Sequence, residues 1–118
     1  MSYAKGAAYE QELARRLRAL GAWVVRAAGS KGPADLVAWY GGRRALIQAK
    51  VGGGLGAREA ERLRLAARDL AATAWLVTRT GRGHEAWYLV WPELGTPEVY
   101  RWAGFAAWLT GKTTLPWP

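Results

Sequence analysis

Residues 30–50 read SKGPADLVAWYGGRRALIQAK, two apolar segments on either side of a Gly-Gly pair. Two adjacent glycines suit a two-residue hairpin turn, because a type I′ turn requires positive φ at both central residues. Asp35, Gln48 and Lys50 nevertheless place polar groups within the apolar segments. The stretch therefore predicts a β-hairpin whose strands carry polar side chains for a reason other than packing.

The turn determines which side chains of this hairpin meet. With the two glycines as the turn, Tyr40 pairs with Arg43. The same register places Asp35 opposite Gln48, with Cβ atoms about 4.5–5.5 Å apart. Lys50 lies two residues further along and therefore on the same face of the strand. We expect the three polar side chains to meet at one end of a sheet.

A fourth polar group comes from the helix predicted over residues 5–20. The apolar stripe of this helix consists of Leu13, Leu17 and Leu20. At about 100° per residue, Glu10 and these leucines fall together within an arc of about 80°, so the Glu10 carboxylate should reach the sheet. Glu12 points elsewhere and is expected to be solvated.

Two carboxylates, an amide and an ammonium at one sheet edge have two interpretations. Asp35 and Lys50 could form a structural ion pair, and Glu10 could lie at the edge of an amphipathic helix. Buried ion pairs are often no more stabilising than apolar packing, so their joint placement favours a function. One or two carboxylates commonly hold Mg²⁺, a bound metal activates water, and a nearby Lys stabilises phosphate charge. The group therefore predicts a metal-dependent phosphodiester-cleaving site.

Composition indicates one globular domain and is compatible with a polyanionic partner. The 118 residues are 51% hydrophobic and 22% charged, which is typical of one domain with its own core. Lys and Arg number 17 against 9 Asp and Glu, a net charge of +8 that suits nucleic acid. By charge alone, a basic protein without such a partner is equally compatible. The chain has no cysteine and one histidine, which excludes disulfides, thiolate metal sites and a histidine cluster.

The amino-acid sequence also gives indications of cellular location and growth temperature. The first residues, MSYAKGAAYEQELARR, lack the apolar region of a signal peptide, and no apolar run is long enough to span a bilayer. We therefore expect a cytoplasmic protein. Asparagine is absent, as is typical of thermophiles, although a GC-rich genome explains the abundant Ala, Gly, Arg and Trp equally well.

Apolar periodicity and Gly/Pro breaks predict the element order α-β-β-β-α-β-β. The predicted elements are a helix over 5–20, strands over 22–28, 34–40 and 44–51, a helix over 57–72, and strands over 73–80 and 84–91. A short helix is expected near 103–111 in the less regular last segment. We predict an α/β fold in which helices flank a central mixed β-sheet.

Four short motifs lie in order over about residues 3–80. They are Lys5-Gly6, Tyr9-Glu10, VVRAAGSKGPADLVA at 24–38 and LIQAK at 46–50. Together they resemble the archaeal-type Holliday junction resolvases, a family of the PD-(D/E)xK nuclease superfamily. The resemblance implies a restriction-endonuclease-like fold and a homodimer that cuts four-way DNA junctions by paired nicks with Mg²⁺ or Mn²⁺.

The resemblance also implies a role for each matching residue. The catalytic set comprises Glu10, Ser30, Asp35, Gln48 and Lys50. The metal would be held by Glu10, Asp35, Gln48 and the backbone carbonyl of Ala49. The family usually has Glu at position 48, and an amide oxygen can bind a hard cation but brings no charge. Weaker metal binding is therefore expected here.

Basic and aromatic residues predict the surfaces that bind DNA and a second copy. The candidate phosphate contacts are Lys5, Arg26, Ser30, Lys31, Arg58 and Arg62, with a merely solvated basic surface as the alternative. Trp23, Trp39 and Trp75 lie in predicted strands and are expected in the core. The other tryptophans cluster in the last third, where about 84–118 is expected to contribute to the dimer interface as well as to core packing.

The sequence thus predicts a single nuclease domain over 1–118, acting as a homodimeric, metal-dependent endodeoxyribonuclease that resolves Holliday junctions. Site residues indicate phosphodiester cleavage and not DNA shape, so a related nuclease acting on duplex or flap DNA stays open. The neutral Gln48 leaves open a catalytically inactive junction-binding protein. A basic structural protein is the last alternative.

Overall fold

The computed structural model describes residues 3–27, 32–93 and 99–115, without the side chains of residues 3–5. The elements are α1 (Tyr3–Ala19), β1 (Trp23–Arg26), β2 (Leu36–Tyr40), β3 (Arg43–Val51), α2 (Ala57–Asp69), β4 (Thr73–Arg79), β5 (Glu85–Trp91), β6 (Val99–Tyr100) and α3 (Trp102–Leu109). The predicted order is confirmed, and so is the short last helix. β6 was not predicted, because two residues carry no periodicity. No helix in the described ranges is long and apolar enough to cross a membrane.

The six strands form one mixed sheet in the order β1-β2-β3-β4-β5-β6. β3 and β4 pair in parallel, because α2 carries the chain back between them, and the other neighbours are antiparallel. The ends of β3 and β4 therefore share one edge of the sheet with the start of β2. This edge is where the hairpin carries its polar residues.

The hairpin register is as predicted. Tyr40 pairs with Arg43 and Leu36 with Ile47 across the two-residue turn. Gly41 has a positive φ of 59°, but its neighbour in the turn does not, so the turn is not type I′. The register survives this difference because it depends on the length of the turn.

Helices cover both faces of the sheet, and β3 alternates between two cores. Its residues Ala45 and Ile47 pack with α1 and α3, whereas Leu46 packs with Leu63 of α2. Side chains alternate along a strand, so the even-numbered series from Leu46 through position 50 faces α2. The polar end of β3 thus lies beside the first turn of α2.

The tryptophans are distributed differently from the prediction. Trp75 is fully buried as predicted, and Trp87 and Trp108 are buried around Phe105 in the same core. The prediction for Trp23 was wrong, because its side chain is 72% exposed on the edge strand β1. The reason is connectivity: α2 links β3 to β4 and packs over β3–β5, so the β1–β2 part of that face stays open.

Candidate active site

Asp35 lies immediately before β2 and is held from both neighbouring strands. Its N–H donates to the carbonyl of Ile47 at 2.9 Å, and its carbonyl accepts from the N–H of Ala27 at 2.8 Å. Its carboxylate oxygen Oδ2 accepts from the N–H of Ala49 at 2.9 Å. The residue is 3% exposed. These bonds fix the position of a buried carboxylate at the sheet edge.

The electrostatic environment of Asp35 favours a nearby cation. Burial raises the pKa of its carboxyl, while the N–H of Ala49 and the ammonium of Lys50 act in the opposite direction. A buried anion with so few partners is costly, and a bound cation would offset that cost.

Glu10 approaches the same point from α1. Its side chain is 12% exposed, and its Oε1 lies 3.2 Å from Nε of Arg26. Burial raises the pKa of Glu10, the neighbouring Asp35 raises it further, and Arg26 opposes both. Its predicted place on the buried stripe of the helix is confirmed. The two carboxylates repel one another, and a cation bound between them would relieve that repulsion.

The predicted polar residues meet in one open cleft of about 310 Å³. The cleft is lined by Glu10, Asp35, Gln48, Ala49 and Lys50, together with part of α1 and the loop Gly52–Gly54. The hairpin register explains why Asp35, just before β2, meets Gln48 and Lys50 of β3. The position of α1 across the sheet adds the fourth.

The oxygen atoms of this cleft fit a hard divalent cation. The N–H of Ala49 points to Asp35, so its carbonyl, which lies on the same side of the strand, faces the cleft as well. Over the part of the chain described, no three acidic or histidine side chains converge to hold an ion. A cation would therefore bind two carboxylates, neutral oxygens such as the Gln48 amide, and water, which is an acceptable shell for Mg²⁺.

Comparison with known proteins agrees with this geometry. Residues 1–101 match the family described as archaeal Holliday junction resolvase (Hjc). This chain belongs to that family. No curated protein matches this chain. A solved structure of Archaeoglobus fulgidus Hjc, a Holliday junction resolvase from an archaeal hyperthermophile, is 25% identical with a TM-score of 0.63, covering 83% of this chain and 89% of that one.

Family membership confirms the predicted fold class and the predicted activity class. The mixed sheet flanked by helices is the restriction-endonuclease-like fold expected from the sequence, and it matches the solved Hjc structure. The resolvase is an endonuclease of the family that resolves four-way DNA junctions.

The other predicted site residues of the resolvase differ in placement. Arg62 is exposed and lines a small cleft that shares Gln48 and Lys50 with the main one, and Arg58 is exposed on the first turn of α2. Arg26 was predicted to bind DNA, but in this structure it pairs with Glu10. Ser30, Lys31 and the side chain of Lys5 lie outside the described residues.

Sequence reasoning missed a charged cluster behind the site, between α1, β4 and β5. Glu85 accepts hydrogen bonds from the hydroxyl of Tyr9 at 2.6 Å and from Arg16 at 2.8 and 2.9 Å. Glu12 is not simply solvated as predicted, since Arg79 donates to both of its oxygens at 2.6 and 2.9 Å. The sequence contains one signal for this cluster. Residues 85 and 87 lie two apart and therefore on the same face of a strand, and Trp87 is apolar, so the side chain of Glu85 is predicted to point inward.

Proposed function

We propose that this resolvase cuts four-way junctions by metal-dependent phosphodiester hydrolysis in the cleft of Asp35 and Glu10. The two carboxylates, the Gln48 amide and the Ala49 carbonyl would hold Mg²⁺ or Mn²⁺. Such an ion, when bound, polarises a phosphoryl oxygen and lowers the pKa of its water. The observation that carries the proposal is that the buried Asp35 and the largely buried carboxylate of Glu10 share one open cleft with Lys50.

Lys50 supplies the positive charge of the proposed site. Its side chain is 28% exposed and stands at the end of β3, where a phosphate entering the cleft would meet it. A fixed ammonium at this point stabilises the charge that develops on the phosphate during cleavage. By the family resemblance, Ser30 would act near the same phosphate.

The proposed substrate is branched DNA, bound through its phosphates. The net charge of +8, the exposed Arg62 beside the cleft and the exposed Arg58 on the first turn of α2 support this. Phosphate contacts position a duplex without reading its sequence, so recognition would depend on the shape of the junction. The enzyme would act in the cytoplasm, where its DNA substrate lies.

The proposal is tested with a labelled immobile four-way junction and a matched linear duplex, each with Mg²⁺ and then Mn²⁺. Paired, symmetric nicks in the junction alone are the expected result. Cutting of the duplex as well would identify the related nuclease instead. Tight binding of the junction without cleavage in either metal would mean that the neutral Gln48 has abolished activity, leaving a binding protein.

Junction binding should weaken steeply with salt. A protein that neutralises about six phosphates loses about 10³-fold in affinity between 50 and 200 mM salt. Replacing Arg62 with Ala should reduce the salt slope by about one, as expected for one lost phosphate contact. Arg44→Ala is the matched control, because Arg44 is also exposed but lies by the hairpin turn at the opposite edge. Fluorescence anisotropy over a salt series measures both, and a flat response would contradict phosphate binding.

A homodimer is proposed because a junction offers two equivalent strands to a two-fold assembly. The open β1–β2 face carries Trp23 and Val25, which are 72% and 47% exposed. The sequence placed the interface in about 84–118, where Val99 on β6 is 62% exposed. Trp87 and Trp108 are used in the core of one chain, so the β1–β2 face is the better supported surface.

Replacing Trp23 with Lys should convert the resolvase dimer to a monomer, because a charge would be buried in an apolar interface. Val99→Lys is the matched variant on the opposite edge strand, and it should remain dimeric. Sedimentation velocity over a concentration series distinguishes the two. Dissociation by Val99→Lys alone would return the interface to the C-terminal region, and an unchanged dimer in both would exclude both surfaces.

A further inference from the structure

Glu59, to which the sequence assigned no function, is held at both of its carboxylate oxygens. It is the third residue of α2, and its Oε1 accepts from the N–H of Gly56 at 3.1 Å, closing the start of the helix. Its Oε2 accepts from Nζ of Lys50 at 2.8 Å. The helix start therefore fixes the carboxylate through Oε1, and the other oxygen of the same carboxylate holds the lysine ammonium.

This ion pair lies on the border of the candidate active site. Gln48 and Lys50 line the cleft of Asp35 and also a second cleft of about 130 Å³, which Glu59 and Arg62 line. The negative charge of Glu59 also contributes to the raised pKa of Asp35. Two clefts that share a wall thus contain acidic groups on either side of Lys50.

The residue at position 48 determines whether β3 itself offers Lys50 a carboxylate partner. Residues two apart on a strand share a face, so a Glu at position 48 would stand beside Lys50. The amide of Gln48 brings no such charge. The first turn of α2 faces the same end of β3 and supplies a carboxylate to the same lysine.

We propose that Glu59 is a positioning residue that holds Lys50 in its working orientation and replaces the charge missing at position 48. The proposal rests on the function proposed for the cleft. A lysine side chain loses considerable rotamer freedom when it is fixed, so an unanchored Lys50 would occupy several orientations. The Glu59 side chain is 44% exposed, but the bond to the N–H of Gly56 anchors it, so this pair is more ordered than a surface ion pair between two mobile side chains.

The variant Glu59→Gln separates this role from helix capping. Its amide oxygen can still accept from the N–H of Gly56, so α2 should begin at the same residue. The charge that holds Lys50 is lost. Glu61→Gln, two residues further along α2, is the matched control, since Glu61 pairs with Arg64 on the exposed side of the helix.

Single-turnover cleavage of the four-way junction should slow by about 10- to 100-fold in Glu59→Gln, as expected when a catalytic group such as the Lys50 ammonium is misplaced. The Kd for the junction should be equal or lower, because the DNA contacts remain and one negative charge near the DNA has gone. The double variant Gln48→Glu/Glu59→Gln should cleave at nearly the rate of Gln48→Glu alone, because a carboxylate at position 48 again holds Lys50. The single variant is the reference, since the added carboxylate also strengthens metal binding. Wild-type rates in Glu59→Gln, or a double variant far slower than Gln48→Glu alone, would overturn the proposal.

A second measurement does not depend on cleavage. The chain contains four lysines, so ¹⁵N spectra of the lysine ammonium groups are simple to assign. The order parameter of the Lys50 ammonium should fall in Glu59→Gln and stay unchanged in Glu61→Gln. If the wild-type protein binds junctions without cutting them, the proposed function fails, and this order parameter still tests the pairing. A Lys50 ammonium equally mobile in wild type and Glu59→Gln would overturn the positioning role.

Discussion

Replacing Asp35 with Asn should abolish cleavage of a four-way junction while the junction remains bound. The amide oxygen of Asn can still accept from the N–H of Ala49, so the local fold should persist. The charge that would hold the metal is lost. Metal-ion stabilisation of a phosphoryl transition state contributes several kcal/mol, so we expect a rate loss of about 10³-fold or more.

Junction affinity and folding stability should not fall with cleavage in Asp35→Asn. Burial already raises the pKa of Asp35, so the folded protein carries a desolvation cost that Asn removes. We therefore expect an equal or higher unfolding midpoint for Asp35→Asn. Junction affinity should be equal or higher as well, because one negative charge near the DNA has gone.

The chain offers a matched control for this change. Asp69 is the other aspartate, and its side chain is 69% exposed at the end of α2. Asp69→Asn should cleave junctions at the wild-type rate. Single-turnover kinetics, anisotropy and thermal unfolding measure the three effects. Cleavage by Asp35→Asn at the wild-type rate would place the chemistry outside this cleft.

The second large effect concerns stability. Replacing Glu85 with Ala should lower the free energy of unfolding by about 3–5 kcal/mol, the usual result of removing one partner of a buried charge pair. The Glu85 side chain is 13% exposed, and it accepts from Tyr9, Arg16 and Trp87. Its removal leaves the Tyr9 hydroxyl and the Trp87 indole N–H without this acceptor, while Arg16 keeps the longer bond to Glu12 at 3.4 Å.

The pH dependence of this contribution follows from the pKa of Glu85. Burial alone would raise that pKa, but Arg16, Tyr9 and Trp87 lower it to about 2. A carboxyl with a depressed folded-state pKa stabilises the fold above its unfolded value of about 4.3, and the contribution disappears as the pH falls toward 2. The shift corresponds to about 3 kcal/mol. Glu85→Ala should therefore lose stability less steeply than wild type between about pH 4.5 and 2.

Urea unfolding at pH 7 and over an acid series measures both effects. Glu61→Ala is the control, because Glu61 forms a solvent-exposed pair with Arg64. Its unfolding midpoint should equal that of the wild type at pH 7. An unchanged midpoint for Glu85→Ala would show that apolar packing, and not this cluster, joins α1 to the sheet.

The sequence by itself determined the fold class, the hairpin register and the meeting of the polar residues. The reason is that these features depend on local rules. The length of the turn sets which residues face one another, and alternation then places Gln48 and Lys50 on one face. The helical period places Glu10 on the buried stripe. Each of these follows from counting along the chain.

Only the tertiary structure decided what surrounds these residues. Trp23 and Trp75 both occupy strands rich in apolar residues. Trp75 is buried against Phe105 and Trp108 of α3, whereas α2 packs over β3–β5 and leaves Trp23 on β1 exposed. Glu85 finds its partners on α1, far away in the sequence. The pairing of Glu59 with Lys50 likewise needs the path of α2 past the end of β3. Contacts between elements depend on how helices cross the sheet, and no periodicity within one element encodes that.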